Sequence, residues 1–162
     1  MSTVKKVHAC SGQPSCHVVF LHGLGGSIEE TWKSRKTGDF WPAFVGETVG
    51  DIDVFCVGYS ASPSKWLGSA MPLHDRAAEL IETMRVNNIF DRPVVFVAHS
   101  LGGLLVKQIL RLVWTHNVED WQAIRGKIRG VSFIATPHSG SDIPRYLRER
   151  LINRFGCAEI LA

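Results

Sequence analysis

Four short stretches of this sequence are apolar almost from end to end: His17–His22 (H-V-V-F-L-H), Ile52–Val57 (I-D-V-F-C-V), Pro93–Ala98 (P-V-V-F-V-A) and Gly130–Ala135 (G-V-S-F-I-A). They are rich in Val, Ile and Phe and too short for helices, which is how strands covered on both faces read. A weaker run, Val4–His8, predicts an additional edge strand. The segments between them carry helical periodicity. Leu73, Ala77, Leu80, Ile81 and Met84 fall on one face, with Glu79, Glu82 and Arg85 opposite. Leu101–Trp114 is apolar apart from Lys107, Gln108 and Arg111, as expected of a helix buried against a sheet. Residues Ile28–Val45 predict a helix or two with a break near Gly38, and Ile143–Phe155 predicts a final helix. Strands alternating with helices imply right-handed βαβ units, hence an α/β fold with a mainly parallel sheet and helices on both faces.

The chain has 162 residues, 45% hydrophobic and 20% charged, and predicts one domain over 1–162 rather than disorder or two units. Eighteen Lys and Arg against fifteen Asp and Glu give a formal charge of +3. The basic residues are spread out, with a mild excess at Arg125, Lys127, Arg129, Arg145, Arg148, Arg150 and Arg154. Nucleic-acid binding wants a denser basic stripe with exposed aromatics, so none is expected. A basic helix face leaves peripheral contact with anionic lipid open, beside the plainer reading of a solvated surface. The cysteines, at 10, 16, 56 and 157, form no C-x-x-C pair. A short-loop disulfide between Cys10 and Cys16, or a metal pair using His8 or His17, lacks a second ligand pair at zinc-like spacing. No apolar stretch is long enough for a signal peptide or a membrane span, which predicts a cytoplasmic chain.

Chemistry concentrates where two of the strands end. Val94-Val95-Phe96-Val97-Ala98 runs into His99-Ser100-Leu101-Gly102-Gly103, and a helix follows. This is the G-x-S-x-G nucleophile elbow with Ala98 in place of the first glycine. Residues two before and two after the serine must be small because strand and helix converge there. Ser100 would project its hydroxyl beyond the carboxyl edge of the sheet, and the Leu101 N–H, opening a helix, could stabilise an oxyanion. The alternative is an ordinary strand-to-helix turn with Ser100 as a helix cap. Val18-Val19-Phe20-Leu21 similarly runs into His22-Gly23-Leu24-Gly25-Gly26-Ser27, where the Leu24 N–H is the second candidate donor. A phosphate loop is the competing idea. It lacks the Walker lysine, and position 28 is Ile where a dinucleotide fingerprint needs glycine. The His22 side chain is expected to brace this loop.

Together H-G-L-G-G-S (22–27) with E-T-W (30–32), G-Y-S (58–60), R-P-V-V-F-V-A-H-S-L-G-G-L-L-V-K-Q (92–108) and R-G-V-S-F-I-A-T-P-H-S-G-S (129–141) resemble the α/β-hydrolases. Within that superfamily they are similar to the lipase- and esterase-like group with the serine-active-site proteins and GPI inositol-deacylases. The resemblance implies a serine hydrolase of carboxylic esters or lipids acting through an acyl-enzyme on Ser100. Leu24 and Leu101 would form the oxyanion hole, and no metal or organic cofactor is implied.

The family order is Ser, then Asp or Glu, then His, and after Ser100 only His116 and His138 remain. His116 should be carried away by its helix. His138, at the carboxyl end of the next strand, is the one candidate base, with Asp142 a weak partner, although the resemblance implies a structural part of the T-P-H loop for it. The last strands that would carry the acid and base are missing from the pattern, which predicts a fold cut short. An uncovered edge strand there would favour self-association. Loss of the base would also suit a hydrolase-like interaction or effector domain. Trp66, Leu67 and Trp114 are candidates to line an apolar pocket.

Overall fold

In a computed structural model of the chain, residues 2–61 and 73–138 are described. Five strands, β1 (Thr3–His8), β2 (Cys16–Leu21), β3 (Ile52–Gly58), β4 (Val94–His99) and β5 (Ile128–Ile134), form one sheet in the order β1-β3-β2-β4-β5. β1 runs antiparallel to β3, and the other pairings are parallel. The helices are α1 (Trp41–Val49), α2 (Leu73–Val86), α3 (Leu101–Thr115) and α4 (Glu119–Arg125).

The near-continuous apolar runs have a direct cause. Successive side chains of a strand point to opposite faces, and here both faces are covered. Val19, Leu21, Phe55, Val57, Phe96 and Ala98 enter the core shared with α2 and α3, where Ala77, Leu80, Ile81 and Met84 meet Leu105, Ile109 and Leu112. Val18, Phe20, Val54, Cys56 and Val97 face the other way, against Trp32, Phe40 and Val45. Burial pushes the Cys56 thiol up to about 12, so it behaves as an apolar group. The one carboxylate inside β3, Asp53, accepts hydrogen bonds from Lys6 Nζ at 2.8 Å and Cys10 N at 3.0 Å. Burial pushes its pKa up, but these donors outweigh that and hold it below the usual range.

The helix expected across Ile28–Val45 is replaced over most of its length. Only α1, from Trp41, is helical; before it lies a hairpin-like turn closed by an antiparallel bridge between Lys33 and Phe40. Ser34 N donates to the Asp39 carbonyl at 2.8 Å, and Gly38 sits at φ 81°, a left-handed conformation that ends helical continuity. Pro42 then occupies the first turn of α1, where its missing N–H costs nothing. α4 was not anticipated, and β5 starts two residues before the expected Gly130. The predicted helix Ile143–Phe155 lies outside the described residues, as do Trp66, Leu67, Asp142 and Cys157. Cys10, Cys16 and Cys56 are free thiols, and among the described residues no three metal-binding side chains cluster. Nor is any described helix long and apolar enough to cross a membrane.

Phe20 anchors the α1 side. It is fully buried, with Trp32 and Trp41 edge-on to its ring at centroid distances of 5.1 and 5.3 Å. Phe20→Ala should lower unfolding free energy by about 3–5 kcal/mol, measured by urea denaturation followed by circular dichroism.

Candidate active site

β4 ends at His99 and α3 begins at Leu101, so the whole change of direction falls on Ser100. Its backbone adopts φ 54° and ψ −117°, a region that residues with a Cβ rarely enter. Two backbone hydrogen bonds hold it there. Ser100 N donates to the Ile134 carbonyl at 2.8 Å, and Gly103 N donates to the Ser100 carbonyl at 3.0 Å. The residue as a whole is 0% exposed. It makes no side-chain cap to α3, which removes the reading of Ser100 as an ordinary helix cap.

The small neighbours follow from close approach. A Cβ on Gly102 would stand 2.5 Å from the His22 carbonyl oxygen and 2.6 Å from that of Leu21, and both are backbone atoms that cannot swing aside. A Cβ on Gly23 would stand 2.8 Å from the Ser100 Cβ. Gly103 meets the side chain of Thr136, a buried residue just after β5. The glycine-rich loop after β2 and the elbow after β4 are therefore packed on one another. Their strands are hydrogen-bonded neighbours, with Leu21 opposite Ala98.

Leu24, one residue beyond Gly23, and Leu101, the first residue of α3, are both buried. The Leu101 N–H stands at the helix end where the macrodipole is positive. The loop that carries Leu24 is held by backbone hydrogen bonds: Gly26 N donates to the Gly23 carbonyl at 3.1 Å, and Gly25 N, at φ 60°, donates to the Ala61 carbonyl at 2.8 Å.

His22 braces this loop, as expected. Its Nδ1 lies 2.9 Å from the Gly23 carbonyl oxygen, so Nδ1 carries the proton. Its Nε2 accepts from Tyr59 N at 3.4 Å. Burial lowers its pKa and the Gly23 carbonyl only partly opposes this, so the ring is held neutral. The Tyr59 ring stacks on His22 at 4.4 Å, nearly parallel, and its hydroxyl donates to the His22 carbonyl at 2.6 Å. Burial raises the Tyr59 pKa, which keeps that hydroxyl a donor. Sequence reasoning gave Tyr59 no role; its place directly after β3, beside the β2 loop, is the signal that marks it.

His138 is exposed on the loop after β5, its ring edge-on to Phe133 at 5.2 Å. His116 ends α3, about 24 Å along the helix axis from Ser100. His99 sets its ring near Trp32, with centroids 6.2 Å apart, and its Nδ1 against Gly23, and it borders a cavity of about 540 Å³ with Trp32, Trp41, Phe44 and Ile134. Trp114 does not line a pocket near Ser100: it is exposed near the far end of α3, with the Arg125 guanidinium over its ring.

A model of the "Alpha/beta hydrolase family" matches residues 18–156. The chain belongs to this family. The resemblance read from its motifs is thus met, and its sheet and helices form the corresponding fold without the last strands among the described residues. Among curated proteins it is similar to Protein SERAC1 of Bos taurus, 30% identical over 149 residues, and of Homo sapiens, 28% identical over 149 residues. Each match covers 80% of this chain but only 22% of the relative. A carboxylesterase structure from Nitrososphaera gargenis shares the fold with a TM-score of 0.56 at 14% identity, covering 96% of this chain and 50% of that one.

The backbone strain at Ser100 is measurable. Removing its Cβ relieves it, so Ser100→Gly should be more stable than Ser100→Ala by about 1 kcal/mol, against the usual penalty for glycine. Paired thermal melts of the two variants read the difference.

Proposed function

We propose that this hydrolase-family chain carries the nucleophile half of a serine esterase acting on carboxylic esters, lipids included. The observation that carries the proposal is the strained turn between β4 and α3, which falls on Ser100 with Gly23 against it. In this reading Ser100 Oγ attacks the ester carbonyl carbon while its proton passes to a ring nitrogen of His138. The carbonyl electron pair moves onto oxygen, which the N–H groups of Leu24 and Leu101 hold by hydrogen bonds. Collapse re-forms the carbonyl and breaks the bond to the alcohol, which leaves with the proton. Water then repeats the sequence on the acyl-enzyme and returns Ser100. Fixed backbone donors suit this chemistry because they need no reorganisation as charge develops. His138 would have to leave Phe133 to act.

The exposed position of His138 against Phe133 favours a second reading, a hydrolase-like domain that binds a ligand or partner without turnover. A fluorophosphonate probe separates the two. Labelling at Ser100, absent in Ser100→Ala, with ester turnover lost in the same variant, is expected. His138→Ala should then slow turnover by about 10²–10⁴-fold. Equal labelling of parent and Ser100→Ala defeats the serine reading. Labelling without turnover leaves the binding domain.

A further inference from the structure

The segment between β2 and α1 holds an arrangement that ester chemistry does not use. Its turn, closed by the Lys33–Phe40 bridge and the Ser34–Asp39 hydrogen bond, presents Lys33, Arg35 and Lys36 to solvent. None of the ion pairs among the described residues engages these three cations. The carboxylates beside them are Asp39 within the turn and Glu29, which feels the Lys33 charge while it pairs with Lys5; both are exposed. Immediately after the turn, α1 exposes 41% of Trp41 and 59% of Phe44, one helical turn apart. Trp41 rests its inner side on Phe20 and Trp32, which fixes the ring in place. Lys33, Asp39, Trp41 and Phe44 border one cavity of about 540 Å³ that reaches His99 and Ile134, so basic turn and aromatic helix share a face.

Two neighbouring exposed aromatic side chains lose hydration cost when covered. What covers them must also tolerate lysine and arginine at the same level. Protein interfaces deplete Lys from their cores, whereas bilayer interfaces take Trp and Lys/Arg together, the rings at the headgroup boundary and the cations at anionic headgroups. We infer that the 33–40 turn and the first turn of α1 form a docking surface for an anionic lipid bilayer, Trp41 and Phe44 entering the interface and Lys33, Arg35 and Lys36 meeting its charge. The cavity next to His99, one residue before Ser100, then lies on the lipid side of the molecule. Its cations are not those of the basic excess later in the chain. It stands whether or not Ser100 turns over esters.

Co-sedimentation of the full chain with vesicles tests it, run in parallel on Ser100→Ala so that catalysis has no bearing on the result. Binding to mixed phosphatidylcholine–phosphatidylserine vesicles, weakened by salt and absent from phosphatidylcholine alone, is expected. Each of Lys33→Gln, Arg35→Gln and Lys36→Gln should lower partitioning about fivefold. Phe44→Ser should also weaken it, whereas Arg129→Gln, on the exposed side of β5, should not. With brominated phosphatidylcholine in the phosphatidylserine-containing vesicles, tryptophan emission should be quenched in the parent and much less in Trp41→Phe. Absence of binding, or variants of the turn that partition like the parent, overturns the inference. Retention on polyglutamate resin without vesicle binding overturns it too, in favour of an acidic protein partner.

Discussion

The carbonyl groups of Leu21 and His22 lie so close to the first turn of α3 that residue 102 has no room for a side chain. That approach sets the geometry of everything at this end of the sheet. It brings the N-terminus of α3 over the end of β2, and with it the loop carrying Gly23 against Ser100. The Ile134 carbonyl ties the elbow to β5 from the other side. Three adjacent strand ends thus converge on one residue. A left-handed, non-glycine conformation costs of order 1–3 kcal/mol, and a parallel sheet buried on both faces is rigid enough to impose it. Without the Gly102 contact, α3 would sit higher and Ser100 could relax into an unstrained turn.

Rigidity also decides what His22 can do. A general base must accept a proton and present it to a leaving group, which requires an available lone pair and a charged state of tolerable energy. Both His22 nitrogens are occupied by backbone groups, and burial opposes protonation. His22 is therefore a structural clamp, stacked on Tyr59 and holding backbone groups of the loops after β2 and β3 in fixed relation. A neutral clamp keeps its hydrogen bonds in register as the surroundings titrate, which suits a loop whose backbone must hold a fixed position.

The parallel strands and the elbow were legible because their determinants are local. A strand buried on both faces is apolar throughout, and a strained turn demands small residues at fixed offsets, so Val94–Gly103 declares itself. The antiparallel direction of β1 was not legible: Val4–His8 reads as a strand in either orientation, and the route of the chain alone chooses. The 33–40 turn was misread for a physical reason. Thr31, Trp32, Phe40 and Trp41 have a spacing that helices also produce, but Trp32 and Phe40 are apolar because they cover Phe20 and Val97 across the sheet. Gly38, at φ 81°, was noticed as a break and was in fact the tip of a different structure. The roles of Tyr59 and Thr136 depend on strand neighbours distant in sequence, so the G-Y-S and T-P-H motifs mark the positions without saying what they touch.

The two faces of the sheet are covered by different means, and the difference explains the surface chemistry. One face receives α2 and α3, whose Leu and Ile side chains interdigitate with the strands and leave little apolar surface over. On the other, α1, the one helix described on that side, packs mainly on β1 and β3 and reaches β2 through Trp41. The remainder is spanned by an irregular segment, and a turn has no continuous apolar stripe to lay down. Large rings do the covering instead: Trp32 and Trp41 set their edges against Phe20, and Trp32 reaches His99. Rings packed edge-on bridge wide gaps but tile poorly, so a cavity remains between them and Ile134. A ring large enough to reach the sheet from outside also keeps part of itself in water, as Trp41 does. The exposed aromatic surface beside the basic turn is thus a direct consequence of closing this face with a loop, and it lies where the strand ends, not at the opposite edge, because the loop leaves β2 at its carboxyl end.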